Sequence, residues 1–187
     1  MVSNEFSDYA HKRVLIKGEA GSGKTLLMHK ILLQAVESLP KGSVALIDMA
    51  PERKVFGGRK IGGAINVEDL VSKLNYMRPE KLRAPRLEGK TSDKVSQLAK
   101  ENAEKIDVFL DRFIDAPSDV LFMNDLTIYL HAGSFKKIRR VIEKVDTFIG
   151  NAYEGVLLAE DFGSGISENE RRLLNKLEKS MDVIISI

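Results

Sequence analysis

The chain contains no cysteine among its 187 residues, which excludes disulfides, thiolate metal sites and cysteine nucleophiles together. Its three histidines are scattered, so a zinc role is set aside. No stretch approaches the roughly 20 apolar residues of a membrane-spanning helix. Met1-Val2-Ser3-Asn4-Glu5-Phe6 also lacks the basic-then-apolar order of a secretory leader. A cytoplasmic protein with no membrane partner is expected. Repeats and low-complexity tracts are missing as well.

An excess of one charge is missing from the whole chain but not from every part of it. The formal net charge is only +2, with 30% charged residues, which implies a surface of mixed sign. Between Pro51 and Lys90, however, ten Lys or Arg stand against five Asp or Glu. That segment also holds three prolines and five glycines. Residues 50–90 therefore read as a basic insertion or flap, with one modest helical stretch near Val67 to Tyr76.

What is present is an alternation of short apolar runs with longer helical patterns. With 43% hydrophobic residues, the chain suits a single α/β domain spanning 1–187, built as a mainly parallel sheet flanked by helices. Five runs read as buried strands: Arg13–Lys17, Ser43–Asp48, Asp119–Asn124, Gly155–Ala159 and Met181–Ser186. Helices are expected from Lys24 to Leu39, from Ser92 to Phe113, after Ser134 as N-cap, and from a capping box at Ser167 to Glu170. The third of these is expected to turn Ile138, Val141, Ile142, Val145 and Phe148 inward.

Gly18-Glu19-Ala20-Gly21-Ser22-Gly23-Lys24-Thr25 carries the chemistry. It matches G-x-x-x-x-G-K-[ST], the Walker A pattern, between an apolar strand and an apolar-faced helix. Its glycines let backbone N–H groups turn inward around a phosphate, and the following helix adds the positive end of its dipole. Lys24 would reach the β and γ phosphates of a nucleotide, and Thr25 would give its hydroxyl to Mg²⁺. Asp125, after the apolar run Val120-Leu121-Phe122-Met123 and Asn124, is the expected metal carboxylate. The residue after it is Leu126, so a water-activating base must come from elsewhere. Glu52 is the candidate, with Asp48 as its competitor at the same strand end. No N-K-x-D-like guanine-reading motif appears, which favours ATP.

The order of these parts resembles the RecA and KaiC-like branch of P-loop ATPases. That resemblance implies a three-layer P-loop fold in which the strand leading to Asp125 is not directly beside the P-loop strand. It also implies binding of ATP with Mg²⁺, slow hydrolysis, and assembly into rings or filaments. Lys24, Thr25 and Asp125 carry over from it, whereas Glu52 falls two residues later than that family's catalytic Glu. Asn124 to Gly133, Val156 to Glu160 and Met181 to Ile184 also look like the ATP:corrinoid adenosyltransferases, which implies transfer of an adenosyl group with Asn124, Tyr129 and His131 near the site.

Two further readings stay open. One is a nucleotide-dependent switch in which the flap docks a protein partner. The other is nucleic-acid binding through Arg83, Arg86 and Lys90 with Tyr76 as a stacking ring. Arg139, Arg140, Arg59 and Lys60 are candidate cations acting across a subunit contact.

Overall fold

A computed structural model describes residues 2–187, apart from the side chains of Arg59 and Lys60. After a 3-10 turn at Phe6–Asp8 come β1 (Arg13–Gly18), α1 (Lys24–Ser38) and β2 (Val44–Asp48). The basic segment contributes β3 (Lys54–Phe56), β4 (Arg59–Ile61), β5 (Asn75–Met77) and α2 (Pro85–Glu88). The chain then forms α3 (Ser92–Asp115), β6 (Val120–Asn124), α4 (Leu126–Leu130), α5 (Phe135–Ile142), β7 (Thr147–Tyr153), α6 (Ile166–Glu178) and β8 (Val183–Ser186).

Six strands make one sheet in the order β5-β2-β6-β7-β1-β8, and every pairing in it is parallel. The α/β expectation therefore holds, with a sixth strand added. Alternation along the strands sorts the core into two layers. Val14, Ile16, Leu46, Phe122 and Ile149 face α1, against Met28, Ile31, Leu32 and Ala35. Leu15, Ile47, Leu121, Met123 and Phe148 face the other way, toward Ile106, Leu110 and Phe113 of α3 and toward α4, α5 and α6. Strands buried on both faces read as continuous apolar runs, which is why β1, β2 and β6 were visible in the sequence.

Several expectations need correction. The fourth central strand is Thr147–Tyr153 rather than Gly155–Ala159, and it lies between β6 and β1. Helix α5 stops at Ile142, so Phe148 reaches the core from a strand, and Val145 packs from the connection. The run Gly155–Ala159 is a loop with Val156 exposed. Its backbone is satisfied by side chains, Val156 and Leu157 N–H donating to Glu19 and Leu158 N–H to Tyr153. Periodicity misled because β7 carries Gly150 and Asn151 at its centre, where an apolar pattern breaks.

The capping box at Ser167 to Glu170 does not form. Gly165 precedes α6 without a side-chain cap, Asp161 accepts from Ser167 N–H instead, and Glu170 turns to Arg86 and His131. Ser134 does cap α5, accepting from Lys137 N–H, and Thr91 caps α3 in the same way.

The basic segment is partly built into the core. The stretch near Val67 to Tyr76 forms turns and then the edge strand β5, not a regular helix. Ile65, Val67, Leu70 and Leu74 are buried in the α1-side layer. β3 and β4 form a separate antiparallel hairpin.

Gly150 has no room for a side chain, since a Cβ there would lie 2.6 Å from Leu126 Cδ1 and 2.8 Å from Phe148 Cζ. Gly150→Ala is expected to destabilise the protein by about 1–3 kcal/mol through overpacking, read as a lower urea midpoint at unchanged slope.

Candidate functional site

The site forms where β1, β7, β6 and β2 present their carboxyl ends to one side, the usual ligand edge of an open parallel sheet. The turn from β1 into α1 is a Gly-rich loop, with Gly18, Gly21 and Gly23 all at positive φ. That backbone path is open to glycine at little cost and curls the loop on itself. The Lys24 ammonium lies inside the curl and donates to the carbonyls of Gly18 at 2.8 Å and Glu19 at 2.6 Å. Among the described residues it makes no ion pair. Burial lowers its pKa, opposed by the negative fields of Asp125 and Glu19.

Glu19 has a role that its place in the motif did not signal. Its carboxylate accepts from Ala20 N–H at 2.7 Å, Val156 N–H at 2.8 Å and Leu157 N–H at 3.2 Å. Burial opposes its ionisation, but these bonds outweigh it and hold its pKa below the ordinary carboxylate value. Glu19 thus fastens the loop after β7 onto the Gly-rich turn.

Beneath the turn runs a row of buried polar groups. The Asp48 carboxylate, at the end of β2, accepts from Asn124 Nδ2 at 2.8 Å, Ile65 N–H at 2.8 Å and Ala50 N–H at 3.1 Å. Asn124 Oδ1, at the end of β6, accepts from Asn151 Nδ2 at 2.9 Å and lies 3.5 Å from Thr25 Oγ1. Asn151 Oδ1, on β7, accepts from Asp125 N–H at 2.7 Å. Asp48 is fully buried, and burial raises its pKa despite these donors. Both of its oxygens are occupied, so it holds structure together here.

Asp125 follows β6 at the entry to α4 with φ 58 and ψ 57, the left-handed region. An Asp adopts it more readily than most residues. Burial pushes its pKa up to about 7, with Lys24 working against the shift and Glu170 and Asp48 adding to it. The Thr25 hydroxyl lies beside Asn124, while Asp125 shares the field of Lys24.

A cavity of about 380 Å³ extends from the turn across these strand ends. Gly23, Lys24, Thr25, Asn124, Asp125 and Asn151 line it, together with the apolar Ala50, Pro51, Ala84, Pro85, Leu87 and Ile128. Arg86 and His131 line it too. Glu52 is exposed and is not among the lining residues, although Pro51 and Arg53 on either side of it are. Tyr129 is fully buried, donates to Asp107 and accepts from Ser134 N–H, away from the cavity.

The basic set Arg83, Arg86, Lys90 and Tyr76 does not assemble as one surface. Arg83 pairs with Glu88, Arg86 is buried against Glu170, and Tyr76 packs on the α1-side core. Arg139 pairs with Glu143 on an exposed helix turn, and the side chains of Arg59 and Lys60 lie outside the described residues. No cluster of three metal-binding side chains occurs among the described residues, and no helix there is long and apolar enough to cross a membrane.

Comparison with protein-family models gives no match, and comparison with curated proteins gives none either.

The sign of the Asp125 shift sets a pH test. Its folded pKa of about 7 exceeds the ordinary 3.8, so the folded state holds a proton that the unfolded state has released. Its contribution to stability therefore falls as pH rises between those two values. Asp125→Asn is expected to raise the melting temperature relative to the unsubstituted protein at pH 8, with the difference shrinking or reversing at pH 4.

Proposed function

We propose that the chain is a magnesium-dependent ATP-binding protein of the RecA and KaiC-like P-loop type that slowly hydrolyses ATP to ADP and phosphate. The observation that carries this reading is the Lys24 ammonium, held by loop carbonyls at the ligand edge of the sheet with no carboxylate among the described residues paired to it. A phosphate suits such a half-buried cation as a partner. The strand order supports the same reading, because β7 separates β6 from the P-loop strand β1, as the resemblance implies.

The residues present fit the groups that the reading requires. ATP would place its phosphates on the N–H groups of Gly18 to Thr25, and Mg²⁺, bound with it, would spread the charge of those phosphates. A site built from one hydroxyl, Thr25, together with phosphates and waters suits Mg²⁺, which does not need a cage of protein carboxylates. Asn124 is placed to orient the Thr25 hydroxyl or a water beside it, and Asp125 supplies negative charge in the same corner.

In hydrolysis, a water oxygen bonds to the terminal phosphorus as the bridging oxygen to ADP leaves. The water's proton then needs an acceptor. Asp125 suits that role better than Glu52: it lines the cavity, faces the field of Lys24 and has a pKa near neutrality. Glu52 points from the same strand end but outside the lining. Lys24 supplies fixed positive charge where negative charge develops. The buried row Asp48–Asn124–Asn151 holds Asp125 and Thr25 in register without touching the reacting atoms.

Product analysis with ATP and Mg²⁺ tests the reading. Lys24→Ala is expected to abolish detectable ATP binding by calorimetry. Asp125→Asn should lower ADP formation by about 10²–10⁴-fold, whereas Glu52→Gln should stay within about twofold, since its carboxylate lies off the cavity. Triphosphate in place of ADP and phosphate would move the protein to adenosyl transfer. Tight binding with no product would make it a nucleotide switch.

A further inference from the structure

The cavity holds more positive charge than the Gly-rich turn supplies. Lys24, Arg53 and Arg86 are all among its lining residues, and Asp125 is the one carboxylate among them. With a pKa of about 7, Asp125 is only part-ionised near neutrality. Arg86 is matched by Glu170, which leaves Lys24 and Arg53 as the cations that the cavity does not balance.

Arg53 differs in this from the other arginines of the basic segment whose side chains are described. Arg78 lies 3.5 Å from Asp48, Arg83 pairs with Glu88, and Arg86 pairs with Glu170. Lys54, the next residue along, lies 3.4 Å from Glu88. Arg53 makes no hydrogen bond or ion pair among the described residues, not even with Glu52 beside it. Unlike Arg86, it is exposed and so open to a ligand.

An unpaired arginine on open surface would mean little, but this one is placed. It lies against the neck of the β3–β4 hairpin, where a Cβ on Gly63 would fall 2.9 Å from Arg53 Nε and 3.2 Å from Nη2. The neck is closed by Gly63 N–H, which donates to the Pro51 carbonyl at 2.8 Å. Arg53 on the leg entering the hairpin, and Ile61, Gly62 and Gly63 on the leg leaving it, all line the cavity. A guanidinium stays charged at any working pH, and its planar fork matches the oxygens of a phosphate.

We propose that Arg53 is a ligand-contacting residue of this cavity, binding phosphate oxygens of the nucleotide from the hairpin while Lys24 binds them from the Gly-rich turn. The polyphosphate then bridges the two elements and holds the hairpin against the turn. The inference rests on the ATP reading for the identity of the anion, and on the cavity itself for the placement of the two cations.

Calorimetry on the full chain with inorganic tripolyphosphate and Mg²⁺ tests it, because that probe has the phosphates and no nucleoside. Arg53→Gln is expected to weaken tripolyphosphate about tenfold to a hundredfold, as loss of a charge-assisted contact implies. Arg53→Lys keeps the charge without the fork and should fall between the two. Lys54→Gln removes a neighbouring charge that does not line the cavity, and should stay within about twofold of the unsubstituted protein. Hydrogen exchange of the amides of residues 54–61 should slow on adding tripolyphosphate to the unsubstituted protein and not to Arg53→Gln. Should Arg53→Gln fail to fold by circular dichroism, Arg53→Lys decides by the same two readouts. Equal tripolyphosphate affinity with and without Arg53, or no tripolyphosphate binding at all, would overturn the proposal. So would an Arg53→Gln variant weakened toward ATP but not toward tripolyphosphate, since the guanidinium would then sit on the nucleoside. Failure of the ATP reading would appear separately, as absence of ADP in the product analysis of a protein whose tripolyphosphate binding still depends on Arg53.

Discussion

Asp48, Asn124 and Asn151 join the carboxyl ends of three adjacent strands through hydrogen bonds buried from water. Each polar atom in that row would be expensive if left unpaired, so the row tolerates little slippage between β2, β6 and β7. Its two ends reach functional ground. Asp48 accepts from Ile65 N–H and lies 3.5 Å from Arg78, which ties in the basic segment, while Asn124 lies beside Thr25 and Asn151 holds the backbone of Asp125. The Gly-rich turn, the basic segment and the strand order are thereby registered to one another by side chains rather than by the sheet ladder alone.

Electrostatics follow from the same compactness. Lys24 and Asp125 occupy one corner, each disfavoured in its charged form by burial and each favoured by the other. Arg86 and Glu170, whose charges also act on Asp125, repeat the arrangement as a direct ion pair, with Tyr153 beneath the guanidinium and His131 beside the carboxylate. A buried pair of this kind is costly unless all its hydrogen-bonding capacity is used. That capacity is not all used here, since Arg86 Nε and His131 Nδ1 are buried with no hydrogen-bond partner among the described residues.

The loop after β7 shows how a motif position gains a second task. Glu19 stands at an unspecified place in the Gly-rich pattern, yet it gathers three backbone N–H groups, two of them from residues 156 and 157. A segment that reads as an apolar strand is instead held as a loop by a carboxylate 137 residues earlier in the chain. The stretch around Val67 shows a related effect: its helical spacing is real, but its apolar side chains are used to cover α1, and the chain then extends into an edge strand.

Local rules settled what depends on neighbours in the chain. The Gly18-to-Thr25 turn, the span of α1, the apolar stripe of α3, the Ser134 cap and the buried runs β1, β2 and β6 were all legible, as was the existence of β8, although it is a partly exposed edge strand rather than a buried one, because glycine conformations, side-chain periods and cap chemistry act within a few residues. Only the tertiary structure decided the rest. β7 became a central strand because its Gly150 and Asn151 answer to Leu126 and Asn124 on other elements. The Ser167 and Glu170 side chains gave up a capping box to accept from the distant Arg86. Asp125 rather than Glu52 reached the cavity, and Arg86, basic and unremarkable in the chain, was buried against Glu170. Burial and the pairing of polar groups across 26 to 84 positions are set by long-range packing, and no local pattern encodes them.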